Sequence, residues 1–218
     1  MTGIAVREAV RADRAAISAC LARAFESDPV SRFLFPRDRS RLRRLGSFYR
    51  FVLELLSQHG AIHTDVLVRG AAVWRAPSPP EIDSLQAVRD SARMVSKLRF
   101  ATRRAFTLEQ IVGPARPVVP HWYLALIGTE PSEQGRGVGS ALLAPILARC
   151  DREQLPAYLE SSKAENIPFY ERHGFRVKEE LHVPNGPRLW PMLRKPVAPA
   201  PGRAPLNPGG GSAETPGV

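Results

Sequence analysis

Glu133-Gln134-Gly135-Arg136-Gly137-Val138-Gly139-Ser140 is the stretch on which the reading of this chain turns. It follows a near-continuous apolar run, His121 to Thr129, that reads as a strand buried on both faces. It precedes a helix-period pattern with Leu142, Leu143, Ile146, Leu147 and Cys150 on one side. Glycines at alternate positions let the backbone approach a ligand closely and turn N–H groups toward it. The free N–H groups and positive dipole end of the following helix suit phosphate, and Arg136 adds a positive charge. Two common phosphate-binding motifs do not fit. A P-loop closes on Gly-Lys-Ser/Thr, and this turn has no lysine. A dinucleotide fingerprint begun at Gly135 needs glycine where Ser140 stands, and one begun at Gly137 needs it where Leu142 stands. A turn with packing duty alone is the plain alternative.

Outward from this turn, strand and helix signals alternate. Ile4 to Val6 reads as an opening strand. A helix carrying Ile17, Cys20, Leu21, Ala24 and Phe25 follows and is stopped by Pro29. A second helix shows Leu42, Leu45, Tyr49, Val52 and Leu56 on one face and closes at Gly60. Ala61 to Trp74 reads as a hairpin turning at Thr64–Asp65, and a helix is expected over 82–104. After the glycine turn, Pro145 predicts a kink in the long helix. Ala157 to Ser161 reads as a strand, and 166–173 as a short helix stopped by Gly174. Closing strands are expected over 175–183 and 188–194. The class is α/β in the α+β sense, a mixed sheet flanked by helices. Residues 4–196 form one domain. From Pro196 to Val218 there are 6 Pro and 5 Gly, so 197–218 is expected to be a disordered tail.

The 218 residues hold 31 Lys and Arg against 21 Asp and Glu, a net charge of +10 that favours an anionic partner. Two cysteines, Cys20 and Cys150, exclude a disulfide scaffold and a four-thiolate zinc site. Of the histidines only His59 and His63 stand four apart, and they fall on either side of the helix end at Gly60 rather than on one helix face, so no metal is expected. The N-terminus lacks an export signal and no stretch is long enough to span a bilayer, which leads to a cytoplasmic expectation. Runs at 37–50 and 89–104 are rich in arginine, hold few aromatics (Phe48, Tyr49 and Phe100) and belong to no helix-turn-helix or other evident nucleic-acid reader. They read as solvated faces rather than a nucleic-acid footprint.

Gln134-x-x-Gly137-x-Gly139 is similar to the Q/R-x-x-G-x-G/A pattern of the GNAT superfamily of N-acetyltransferases. Phe25-x-x-Asp28-Pro29, Trp122-Tyr123-Leu124 and Leu159-Glu160-Ser161 extend the likeness. So do Asn166-x-Pro168-Phe169-Tyr170-Glu171-Arg172-x-Gly174-Phe175 and Gly186-Pro187-Arg188-x-Trp190-x-Met192-x-Arg194-Lys195-Pro196. In this order, over residues 4–196, they resemble the puromycin N-acetyltransferase family. The resemblance implies a mostly antiparallel sheet with splayed central strands. It implies that Gln134, Gly135, Arg136, Gly137, Val138, Gly139 and Ser140 cradle the pyrophosphate of acetyl-CoA as co-substrate. Backbone groups of Ile127, Gly128 and Thr129 would pair with the pantetheine, and Asn166 and Tyr170 would lie on the cofactor side. An acceptor amine would attack the thioester directly, without a covalent enzyme intermediate.

Two protons must then move. An amine of pKa near 10 costs about 4 kcal/mol to deprotonate at pH 7, and a departing thiolate must gain a proton. Tyr170 is the matching acid, its phenol lying slightly above a thiol; its plain alternative is a core tyrosine. Glu160 is a carboxylate in an apolar strand, which is costly unless it meets an amine, water or partner. It reads as the base or amine ligand, or as a structural hydrogen-bond acceptor. Asp28 reads equally as a substrate contact or as a helix-ending residue. The expected function is acetyl transfer from acetyl-CoA to a primary amine of a small molecule, antibiotics and related amines among the candidates. The alternatives are a non-catalytic acyl-CoA- or nucleic-acid-binding module and an enzyme acting on protein lysine. The assembly is expected to be a monomer or homodimer.

Overall fold

The structure, a computed structural model, describes residues 3–77, 96, 98 and 101–198. Strand β1 (Val6–Glu8) leads into helix α1 (Arg14–Ala24), and Pro29 does not end that helix. Asp28 instead caps a new one, α2 (Pro29–Leu34), accepting hydrogen bonds from the Val30 amide at 2.9 Å and the Ser31 amide at 3.2 Å. Pro29 takes the first helical position, where a missing N–H costs nothing. Helix α3 (Asp38–Leu56) follows. Its basic run is not wholly a solvated face: Arg41 is buried, and its guanidinium donates to the carbonyls of Phe35 at 2.8 Å and Pro36 at 3.2 Å.

The hairpin of β2 (Gly60–Asp65) and β3 (Gly70–Arg75) turns at 66–69, beyond the expected Thr64–Asp65. Its cause is the buried Asp65 carboxylate, which accepts from the amides of Leu67 at 3.2 Å and Arg69 at 2.6 Å and pairs with the Arg69 guanidinium at 2.8 Å. Asp65 thus organises the loop from the last strand position. The helix expected over 82–104 falls largely outside the described residues; α4 (Thr102–Val112) begins only at its end.

The second half supplies β4 (Trp122–Thr129), α5 (Val138–Glu153), β5 (Ala157–Ser161), α6 (Ile167–Glu171), β6 (Arg176–Val177), β7 (Leu181–His182) and β8 (Arg188–Arg194). Helix α5 continues through Pro145. The single strand expected over 175–183 is two short ones, each antiparallel to β8. The sheet order is β1-β2-β3-β4-β5-β8-β6, with β7 also on β8. All pairs are antiparallel except β4 with β5.

Alternation along the strands builds a core on each face. Trp74, Trp122 and Leu159 pack with Leu142, Leu143 and Cys150 of α5 and with Phe175. On the other face Val73 and Ile62 pack with Leu21 of α1 and Leu45 and Leu53 of α3. Strand β4 is only alternately buried, contrary to its uniformly apolar sequence. Of its half-buried positions, Ala125, Leu126, Ile127 and Thr129 line the opening described next.

Candidate active site

Strands β4 and β5 pair only where they begin, Trp122 against Ala157 and Tyr123 against Tyr158. Beyond that point each keeps its outer neighbour: β4 stays on β3 as far as Thr129, and β5 stays on β8 as far as Ser161. Their facing edges diverge, leaving backbone groups without a strand partner. The register on β3 shifts between Val73 and Trp74, passing over Ala125 of β4. A bulge of this kind bends the strand that carries it. A cavity of about 500 Å³ opens between the strands, reaching from Leu124–Thr129 on one wall to Leu159–Lys163 on the other.

At the mouth of the cavity the chain turns from β4 into α5. Gly135 and Gly137 sit at φ of 77° and 85°, in the left-handed region, and Gly137 is the N-cap of α5. No side chain caps this helix end, so its first amides are open to an anion. The Gln134 amide donates to the Thr129 carbonyl at 3.3 Å, fastening the turn to the strand. Gly128 serves another need: a Cβ there would lie 2.9 Å from Leu21 and 3.0 Å from Ala24, so its absence lets α1 close over β4.

Asn166, in a 3-10 turn, and Tyr170, on α6, line the same cavity. Tyr170 is buried, with its ring edge-on to Phe169 and Phe175 at 5.1 and 6.1 Å. Burial pushes its phenol well above the usual value, with a further push from the Asp28 charge. Its hydroxyl has no hydrogen-bond partner among the described residues. Asp28 reaches the cavity from the α1–α2 junction, and its second carboxylate oxygen accepts from the Ser162 hydroxyl. Asp28 therefore begins a helix, binds across to the end of β5 and faces the cavity at once.

Glu160 lies on the β5 wall. Its carboxylate accepts from the Tyr123 hydroxyl at 2.7 Å and from Arg116 Nε at 3.3 Å. Burial raises its pKa above the ordinary carboxylate range, with Tyr123 and Arg116 opposing that rise.

The site is thus a two-walled cleft beside a glycine turn and an open helix end. The family model described as acetyltransferase (GNAT) domain matches residues 88–195. A Corynebacterium glutamicum structure described as histone acetyltransferase HPA2 and related acetyltransferase is 25% identical, with a TM-score of 0.70, covering 91% of this chain and 99% of that one. The chain belongs to the GNAT superfamily. An uncharacterized N-acetyltransferase of Schizosaccharomyces pombe is 40% identical over 78 residues, 34% of this chain and 32% of that protein. The match therefore spans about a third of that relative's length. The yncA protein of Salmonella typhimurium, solved with its cofactor acetyl-CoA, shares the fold at 17% identity and a TM-score of 0.50, covering 93% of this chain and 99% of that one.

Within this GNAT cleft the structure gathers nearly all the residues singled out in the sequence. Ile127, Gly128, Thr129, Gln134, Gly135, Gly137, Val138, Gly139, Ser140, Glu160, Asn166, Tyr170 and Asp28 all line the cavity. Arg136 does not: its side chain is 66% exposed and lies 3.6 Å from Glu133. Glu130, just past the end of β4, is paired with Arg23. The sequence reading missed Ser162 and Arg116. Ser162 follows a strand end with no motif, and Arg116 stands alone between prolines, so neither offers a periodic signal. Phe169 and Arg172, also in the lining, stood in the quoted motif without a role.

Proposed function

We propose that this GNAT chain transfers the acetyl group of acetyl-CoA to a primary amine of a small molecule, by direct attack within a ternary complex. The observation that carries this reading is the wedge between β4 and β5, with unpaired strand edges inside it and uncapped helix amides at its mouth. A ligand with an amide-bearing arm and a phosphate head fits that combination of donors and acceptors. Acetyl-CoA has both, and it supplies a thioester already activated toward an amine.

In this reading the backbone of Ile127, Gly128 and Thr129 pairs with the arm. The amides of the 134–140 turn hold the diphosphate, and Asn166 borders the same channel. Tyr170 stands ready to protonate the departing sulfur. A phenol near 10 and a thiol near 8.5 are ordinarily about matched. Burial that raises the phenol also disfavours a thiolate beside it, so the transfer stays close to balanced. Glu160 takes the proton of the acceptor ammonium, directly or through a water. Its raised pKa brings it nearer to the amine it must deprotonate, which improves a general base. Asp28 forms the wall along which the acceptor arrives.

The experiment is a panel of small primary amines and a lysine-bearing peptide, with free CoA thiol and the N-acetylated product both measured. Thiol release with a small amine, and its acetylated product by mass, is the expected result. Release with the peptide alone would move the acceptor to protein lysine. Acetyl-CoA binding with no release for any amine would leave a non-catalytic acyl-CoA-binding module.

A further inference from the structure

Arg116 joins two carboxylates at different depths. Its Nη1 and Nη2 donate to Glu109 Oε1 at 2.6 Å and Oε2 at 3.0 Å, while its Nε donates to Glu160 Oε1 at 3.3 Å. Glu109 stands on α4 with a side chain 59% exposed, and that of Glu160 is 9% exposed. The guanidinium also lies over the Tyr123 ring, 5.3 Å from its centroid. Tyr123 in turn donates its hydroxyl to Glu160 Oε2 at 2.7 Å. Each oxygen of the Glu160 carboxylate thus has one donor, and only one of the two donors carries a charge.

Among the described residues Arg116 is the only cation in ion-pair contact with Glu160. A carboxylate at that depth without a counter-charge would take up a proton rather than stay ionised. We propose that Arg116 is the positioning residue that keeps Glu160 ionised and aimed into the cleft, itself held from the surface by Glu109. The proposal rests on the reading of Glu160 as the base. A lysine could not replace it fully, since one ammonium cannot grip Glu109 with two parallel donors, reach Glu160 and stack on a ring.

The other groups facing Glu160 do not supply this charge. Tyr158, from β5, lies beside the carboxylate as a phenol that burial and the Glu160 charge both push up. His121 packs edge-on against Tyr158 at 5.6 Å and has its Nδ1 on the Val119 carbonyl. Arg75, from β3, sits 6.0 Å from the Tyr123 ring centroid. Glu179 acts on Tyr158, and the Lys178 ammonium is spent on the Ala115 carbonyl at 2.9 Å, which fastens the segment bearing Arg116. Strand β8 places Pro191 opposite Glu160.

The test is the pH titration of the Glu160 carboxyl resonance in protein carrying 13C-labelled glutamate, assigned with Glu160→Gln. Arg116→Gln should raise the midpoint by about one pH unit or more. Arg116→Lys should raise it less, and Glu109→Gln should raise it by loosening the guanidinium. The acidic limb of the kcat/KM profile should move with the midpoint, while acetyl-CoA affinity stays unchanged. A folded Arg116→Gln protein with the wild-type midpoint would overturn the proposal. If that variant does not fold, an unmoved midpoint in both Arg116→Lys and Glu109→Gln overturns it equally. Glu160→Gln with an unaltered pH profile would instead remove the base role, which separates that failure from this one.

Discussion

Replacing Gly137 by alanine isolates what the turn costs and what it does. Gly137 caps α5 at φ 85°, and a Cβ there would meet only Ile4 Cδ1, at 3.9 Å. Crowding is therefore absent, and the penalty is that of an L-residue in left-handed backbone, about 1–2 kcal/mol. The protein can take that loss in two ways. If the turn keeps its shape, stability falls by the full amount and acetyl-CoA binds as before. If the backbone relaxes to negative φ, stability is spared, the amides of 138–140 turn away, and affinity falls about tenfold for each 1.4 kcal/mol. Asparagine tolerates this region better than alanine, so Gly137→Asn should lose less in both measurements. Urea unfolding and isothermal titration with acetyl-CoA, on the same preparations, give the two numbers. Wild-type stability together with wild-type affinity in Gly137→Ala would refute the reasoning, because no other place remains for the strain to go.

Further outcomes follow from other residues. Tyr170→Phe should lower kcat by about 10²–10⁴ and leave the dissociation constant for acetyl-CoA unchanged; an unchanged kcat takes the acid role away. Asp28→Ala should cost about 1 kcal/mol through the α2 cap, read as a fall in melting temperature, and Asp28→Ser should recover much of it. His63 is buried on β2, and burial lowers its imidazole pKa although Glu8 pulls it the other way. As pH falls through the ordinary value of about 6.5, the unfolded chain takes a proton that the folded chain resists. The contribution is whole above that pH and is lost below it. His63→Gln should accordingly flatten the decline in urea midpoint between about pH 7 and pH 5.

The parts of the fold with strong local signals were readable from the chain. The apolar face of α5 repeats at helical spacing from Leu142 to Cys150, and the turn before it is dense in glycine. Features that depend on distant partners were not. Pro29 looks like a helix stop, but Asp28 ahead of it makes it a start, because a capped first helical position needs no amide from the proline. The hairpin turn moved past Thr64–Asp65 because a single buried carboxylate gathers the following loop. Strand β4 reads as buried on both sides, since no local pattern records that its neighbour departs after Tyr123. The same limit applies to the site. Glu160 stood out as an acid among apolar residues, but its partner Arg116 lies 44 positions away in sequence and in no motif.

Amide chemical shifts of residues 134–140 and 127–129, followed while acetyl-CoA is added, test the central claim most directly. Both groups should shift together and saturably, the first through the diphosphate and the second through the arm. Shifts confined to other parts of the chain, with these two segments unmoved at saturation, would contradict it.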